Sequence, residues 1–376
     1  SASGSSIYSG VISGSGALRK SGSGTLVLTG ASTFTGGTTI QAGSIALDDD
    51  QPNVTGQSIL NRYGASSTAL GTGQVVVEPG AELNLTGRTL ANAVRLAGGA
   101  SSQQVGGALR NGRYSNPGDY DGSYEGKLTG TLTLDAPSNQ SALGSRINTE
   151  YVVDISGKIT GAGRLHKTGS GVLYLSNNGS ATQSLANDFT GGVRIESGVV
   201  RLDSPTSLGN ASSSVLVDAG ATLDLWGTSL TGANPLTLNG TGVGGDGALV
   251  NSDSTAATYP GPVTLGSDTR ITGQTGSIRL SDSGFINGSG FTLTLGGAVG
   301  GQIDGEINTG SGGLIKTGSG TWVLTGDNTY TGSTVVNAGT LTVSGDGPTS
   351  ATCNGGSSNL CPTASGGGGG GDAPPP

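Results

Sequence analysis

The sequence predicts an all-β, single-stranded β-solenoid built from short strands, with no significant helix. Three observations lead there. One motif recurs three times, as GSGALRKSGSGTLVLTGASTFTGGTTIQAGSIAL (14–47), GAGRLHKTGSGVLYLSNNGSATQSLANDFTGGVRIESGVVRL (161–202) and GSGGLIKTGSGTWVLTGDNTYTGSTVVNAGTLTV (310–343). Within each copy, runs of three to six residues alternate apolar and polar character between Gly, Asn and Asp breaks. Finally, 74 glycines, 11% charged residues and no Met leave little material for amphipathic helices.

Taken in chain order, Thr25-Leu26-Val27-Leu28 sets Leu26 and Leu28 on one face. Leu173 and Leu175 fill those places in the second copy, and Trp322 and Leu324 in the third; these six are the expected core positions of the repeat. After a Thr/Gly turn come Thr39-Ile40-Gln41 and Ile45-Ala46-Leu47, answered by Val193-Arg194-Ile195 with Val200-Arg201-Leu202 and by Val335-Val336-Asn337 with Leu341-Thr342-Val343. A unit of this kind buries its apolar side only against its neighbours, so translated copies imply stacking. A sandwich does not explain three translations of one motif, and propeller blades repeat at roughly 40–50 residues. A solenoid with two or three strands per coil and roughly 20–25 residues per coil fits, its strands stacked at about 4.8 Å. A flexible Gly/Ser/Thr chain is the alternative at 32% apolar content, but disorder gives no reason for apolar positions to stay in register between copies.

The repeated lysines, Lys20, Lys167 and Lys316, mark a larger module. Its second half recurs as well, ALGTGQVVVEPGAELNLTGRTL (69–90) against SLGNASSSVLVDAGATLDLWGTSL (207–230), and GALRN (107–111) against GALVN (247–251). The chain divides into a first module over 1–147, a second over 148–298, a partial third over 299–345, and a tail over 346–376.

The pattern L-x-K-x-G-x-G-x-L-x-L, followed by Thr-Phe-Thr-Gly-Gly-Thr (33–38), Asp-Phe-Thr-Gly-Gly-Val (188–193) or Thr-Tyr-Thr-Gly-Ser-Thr (329–334), resembles the autotransporter-associated β-strand repeat, also called the passenger-associated transport repeat. Copy two departs from it by the insertion Asn177–Ser184. The resemblance implies a right-handed parallel β-helix exported to a bacterial surface; it implies no activity, since such passengers include adhesins, enzymes and stalks. A chain opening Ser-Ala-Ser-Gly without an initiator Met reads as a processed product, and a membrane barrel or sorting segment removed from the other end fits the same picture.

Charge narrows function further. With 17 basic and 25 acidic residues, net −8, and no basic run beyond Arg19-Lys20 and His166-Lys167, nucleic-acid binding is not expected. No stretch approaches the roughly 20 apolar residues of a membrane-spanning helix. Cys353 and Cys361 sit in a tail without His or acidic neighbours, so a disulfide is expected, closing a short loop worth roughly 2–3 kcal/mol in an oxidising, extracellular setting.

Candidate chemistry is sparse. His166 aligns with Arg19 and Ile315, which marks an outward position and no catalytic triad. Asp48-Asp49-Asp50 reads as a solvated turn, because consecutive acids do not face one another across a sugar. Asp119, Asp121 and Ser123 imitate positions 1, 3 and 5 of a calcium loop, but Tyr124 stands where the turn glycine belongs; no cofactor is expected, with calcium the one metal suggested. Tyr114, Tyr120 and Tyr124 form a contact-loop candidate for glycan or partner, against the alternative that they pack on the coil beneath. Gly244-Gly245-Asp246-Gly247 matches a calcium nonapeptide only once.

The functional expectation is a secreted structural protein, extracellular or at the bacterial surface, that assembles with copies of itself into a surface filament or matrix fibre. The third copy ends after Leu341-Thr342-Val343 without a visible cap, and the Gly/Pro tail, Gly366 and Gly371 through Pro374 and Pro376, is the expected intersubunit clasp. The alternatives are a monomeric passenger acting as adhesin or stalk on glycans or matrix, and a polysaccharide-active enzyme.

Overall fold

A computed structural model describes residues 4–47, 66–97, 108–112, 125–136, 145–177, 186–281, 285–348 and 350–361. The strands span two to five residues, except Val263–Gly273, whose eleven residues run across both the second and third sides described below, and they pair in parallel to form sheets of twenty-five, six and six strands. Successive strands take three sides in turn and then return one level higher, which is the parallel β-solenoid the repeats predict. On the first side Leu18–Lys20, Thr38–Ile40, Val75–Val77, Val94–Leu96, Leu132–Leu134 and Ile159–Thr160 stack in order. The second side runs from Ser5–Tyr8 and Thr25–Leu28 through Leu165–Thr168 to Ile307–Asn308. The third runs from Ser66–Ser67 through Val172–Leu175 to Thr352–Cys353.

In the middle coils the first side has no assigned strand, yet its ladder persists: Asp188 N–H donates to Ile159 O, Asn210 N–H to Phe189 O and Leu230 N–H to Thr258 O. From Ala257–Tyr259 onward strands resume there. Cross-coil hydrogen-bond partners lie 20–28 residues apart in many of the coils and 39–41 apart at three places in the first module.

Inward side chains form columns. Ile45, Leu83, Leu109, Ile147, Lys167, Ile195, Val217 and Leu238 stand in register, one per coil, and all are buried. Of the expected core positions, Leu28, Leu173, Leu175, Trp322 and Leu324 are buried, whereas Leu26 is only partly so. Val27 is buried in the first copy, between Ile7 and Ala46 of the adjoining coils. Trp322 fits because its neighbour across the coil is Gly301, where a Cβ would lie 3.0 Å from the indole, and its Nε1–H donates to Gly296 O at 2.9 Å.

The chain beyond Val343 corrects the expectation of an uncapped third copy. Thr352–Cys353 pairs with the Thr334–Val336 strand and Ser357–Ser358 with Thr340–Val343. The Cys353–Cys361 disulfide closes this coil, and Leu360 packs on the core. Asn359 then finishes the edge: its Oδ1 accepts from Val343 N–H at 3.0 Å and its Nδ2 donates to Val343 O at 2.6 Å, so one amide side chain stands in for a strand partner.

Candidate functional site: buried lysines and the outer strips

The three lysines that mark the repeat lie in the apolar columns. Lys20 stands in register with Ile40, Lys167 between Ile147 and Ile195, and Lys316 between Leu295 and Val336. Each ammonium is held by three backbone carbonyls and no carboxylate. Lys20 Nζ donates to Ser21 O, Gly22 O and Ala42 O at 3.1, 2.7 and 3.0 Å. Lys167 Nζ donates to Thr168 O, Gly169 O and Ser197 O at 3.0, 2.7 and 2.9 Å. Lys316 Nζ donates to Thr317 O, Gly318 O and Ala338 O at 2.7, 2.7 and 2.9 Å. Two carbonyls belong to the corner that follows the lysine and the third to the corner of the next coil, so the motif staples adjacent coils. The glycine two residues on, at 22, 169 and 318, has φ of 77°, 79° and 70°, a left-handed corner that turns its carbonyl toward the ammonium. Burial lowers all three amines, Lys167 to about 7 and Lys316 to about 8.

The staples do not share a side. Lys20 lies on the first side, Lys167 on the second and Lys316 on the third. From Lys20 the first side climbs five levels to Ile159–Thr160, and Lys167 follows one side later. From Lys167 the second side climbs six levels to Ile307–Asn308, and Lys316 again follows one side later. Each module is a whole number of coils plus one third.

The outer surface carries cross-coil pairs. Asp224 is buried; its Oδ2 accepts from Arg201 Nε at 2.8 Å and Ser252 Oγ at 2.5 Å, and its Oδ1 from the N–H groups of Trp226 and Ser252 at 3.1 and 3.2 Å. Arg201 lies 4.0 Å from the Trp226 ring centroid and donates to Tyr174 Oη at 2.6 Å. Trp226 has φ 47°, the left-handed value that Thr86 takes at the equivalent corner of the first module with φ 48°. Sequence reading missed this cluster, though the alignment of LNLTG with LDLWG held its signal: a bulky ring replaces a small residue at one corner.

His166 is an outward position as expected, but a covered one, 2% exposed, with Nε2 2.7 Å from Glu196 Oε2. Val243–Gly245 is a short 3-10 turn, and no group of three His, Cys, Asp or Glu side chains able to hold a metal occurs among the described residues. Asp48–Asp50, the calcium candidates Asp119, Asp121 and Ser123, the tyrosines 114, 120 and 124, and the tail positions Gly366, Gly371, Pro374 and Pro376 lie outside the described residues.

Comparison with known families turns on the stapled segments. The model described as passenger-associated-transport-repeat matches residues 18–47, 165–202 and 314–343. These three segments are the ones that match the passenger-associated transport repeat. Each matched segment begins at or just before the strand that holds the lysine. The chain is also similar to a protein described as "Adhesin BmaC autotransporter" from Brucella suis biovar 1 (strain 1330), with 29% identity over 323 residues. That match takes in 68% of this chain and 9% of the relative's length. No solved structure gives a significant match.

Proposed function

We propose that this chain is a rod-forming stretch of a passenger secreted from, or displayed on, a bacterial cell, where it acts as an adhesive shaft and not as an enzyme. The observation that carries this reading is the stapled repeat itself: three matched segments set into an unbroken parallel ladder, with an adhesin autotransporter among the proteins it resembles. A filled core leaves only the outer faces for contact, and a long narrow surface suits attachment better than turnover of a small substrate. Fusing the chain to an autotransporter barrel tests it. Protease-accessible display with a gain in cell attachment is expected; display without any gain would remove the adhesive role.

A head-to-tail filament is the second arrangement. In its favour, Ile7, Tyr8 and Val11 present exposed apolar side chains. Against it, the coil at 351–361 is closed by a disulfide and offers only two-residue strands, Thr352–Cys353 and Ser357–Ser358, for an incoming strand to extend. The passenger reading is therefore preferred, and electron microscopy of the purified chain separates the two: single short rods at all concentrations favour it, and long fibres reverse the order.

A further inference from the structure

Basic residues that are scattered in sequence meet on the second side. Arg146, His166 and Arg194 occupy one outward row on three consecutive coils, Arg146 paired with His166 and His166 with Arg194. Two of the three have a carboxylate beside them: Glu196 Oε2 lies 2.7 Å from His166 Nε2, and Asp218 Oδ2 accepts from Arg194 Nε at 2.8 Å. Arg146 makes no ion pair among the described residues; its Nε donates to Thr168 Oγ1 at 3.0 Å. Arg164, beside the row, is exposed and likewise makes no ion pair there.

Both arginines of the row are thus held by the inner nitrogen of the guanidinium. Anchored at Nε, each half-exposed arginine has terminal amino groups that no hydrogen bond among the described residues engages, and such groups bind a carboxylate in a planar, two-point fashion. The arginines sit two coils apart, roughly 10 Å along the rod axis at the spacing of stacked strands. His166 is covered and fills the gap between them without reaching the surface.

We infer that the Arg146–Arg194 row is a binding strip for a linear, carboxylate-bearing polysaccharide lying along the rod axis. The strip is one residue wide, which suits a single extended chain. A nucleic-acid duplex needs many phosphate contacts over a broad basic face, which a row with two arginines on alternate coils does not supply. The net charge of −8 gives no long-range attraction, so binding is local, salt-sensitive and strengthened by several contacts on one polymer. The inference names a partner for the adhesive reading and depends on it only for where the polysaccharide is met.

The test is retention of the whole chain on immobilised polygalacturonate, with neutral dextran and duplex DNA as parallel matrices. The wild-type chain is expected to be held by polygalacturonate at low salt, released by 0.5 M NaCl on the order of the screening expected for exposed charges, and not held by the other two. Arg146→Gln with Arg194→Gln should lower retention at least tenfold, Arg146→Lys with Arg194→Lys should lower it partially while preserving charge, and Arg95→Gln on the first side should leave it unchanged. Failure of the wild-type chain to bind, equal binding by the double Gln variant with an unchanged melting curve, or equal retention on DNA each overturns the inference. If the double Gln variant does not fold, the Lys pair decides: full retention by it overturns the two-point contact. A chain that promotes attachment in the display assay yet ignores polygalacturonate sinks the strip and leaves the passenger reading standing.

Discussion

Gly198 and Lys167 share one small space: a Cβ on Gly198 would lie 2.7 Å from Lys167 Nζ and 2.5 Å from the carbonyl oxygens of Gly169 and Gly171. Gly339 stands to Lys316, and Gly43 to Lys20, in the same way, at 2.7 and 2.8 Å. The glycine that follows each staple is therefore part of it. Gly198 also has φ 70°, which an L side chain adopts only with strain. Gly198→Ala should destabilise the rod by at least about 2 kcal/mol, combining that strain with a clash against fixed backbone. Adding Lys167→Met should not rescue it, because the two carbonyls remain; recovery of the melting temperature in the double variant would show that the ammonium alone excludes the Cβ.

The buried amines also set a pH dependence. Burial disfavours the ammonium and the three carbonyls favour it; burial dominates, holding Lys167 at about 7 and Lys316 at about 8 against an ordinary 10.5. Between those values and 10.5 the unfolded chain binds more protons than the folded one, so the contribution of these groups to stability rises with pH across that window. It is complete above 10.5 and lost as pH falls through 8 and then 7. Thermal melts from pH 6.5 to 10 should show a positive slope that Lys167→Met and Lys316→Met each reduce; identical slopes in wild type and both variants would contradict the assignment.

Reducing the Cys353–Cys361 disulfide should loosen the last described coil by roughly 2–3 kcal/mol on the loop-closure argument and leave the rest of the rod folded. Hydrogen exchange reads this directly. The amides of Thr340–Val343, which lie beneath that coil, should lose protection on reduction while those of Val193–Ile195 do not change.

Asp224 is the most demanding polar residue of the outer cluster. Asp224→Ala leaves the Arg201 Nε and the Trp226 and Ser252 amides without their acceptor, and should cost about 3–5 kcal/mol, as removal of one partner from a buried pair does. Trp226→Gly relaxes the left-handed corner while giving up the stacking on Arg201, so its net effect should be under about 1 kcal/mol. Urea titrations of the two variants separate these cases.

Much of the fold was legible because alternation and glycine corners are local properties. Leu173, Leu175 and Leu324 follow from a two-residue period, and three translated copies imply stacking. The lysines were legible as markers but not as core residues, since nothing in residue type says that an amine will find three carbonyls inside an apolar column. His166 was read as outward because Arg19 and Ile315 replace it; its burial comes from Arg146, Arg194 and Glu196 on adjoining coils, which only the register brings close. The coil after Val343 escaped notice because its strands are two residues long and its edge is completed by an amide side chain.

The one-third turn left over in each module has a geometric outcome. Duplicating a module does not lay a second copy of a surface feature directly above the first; it places it around the corner. Features that travel with the module wind about the shaft as a coarse screw, and the motif that opens each module, present three times, takes each of the three sides once.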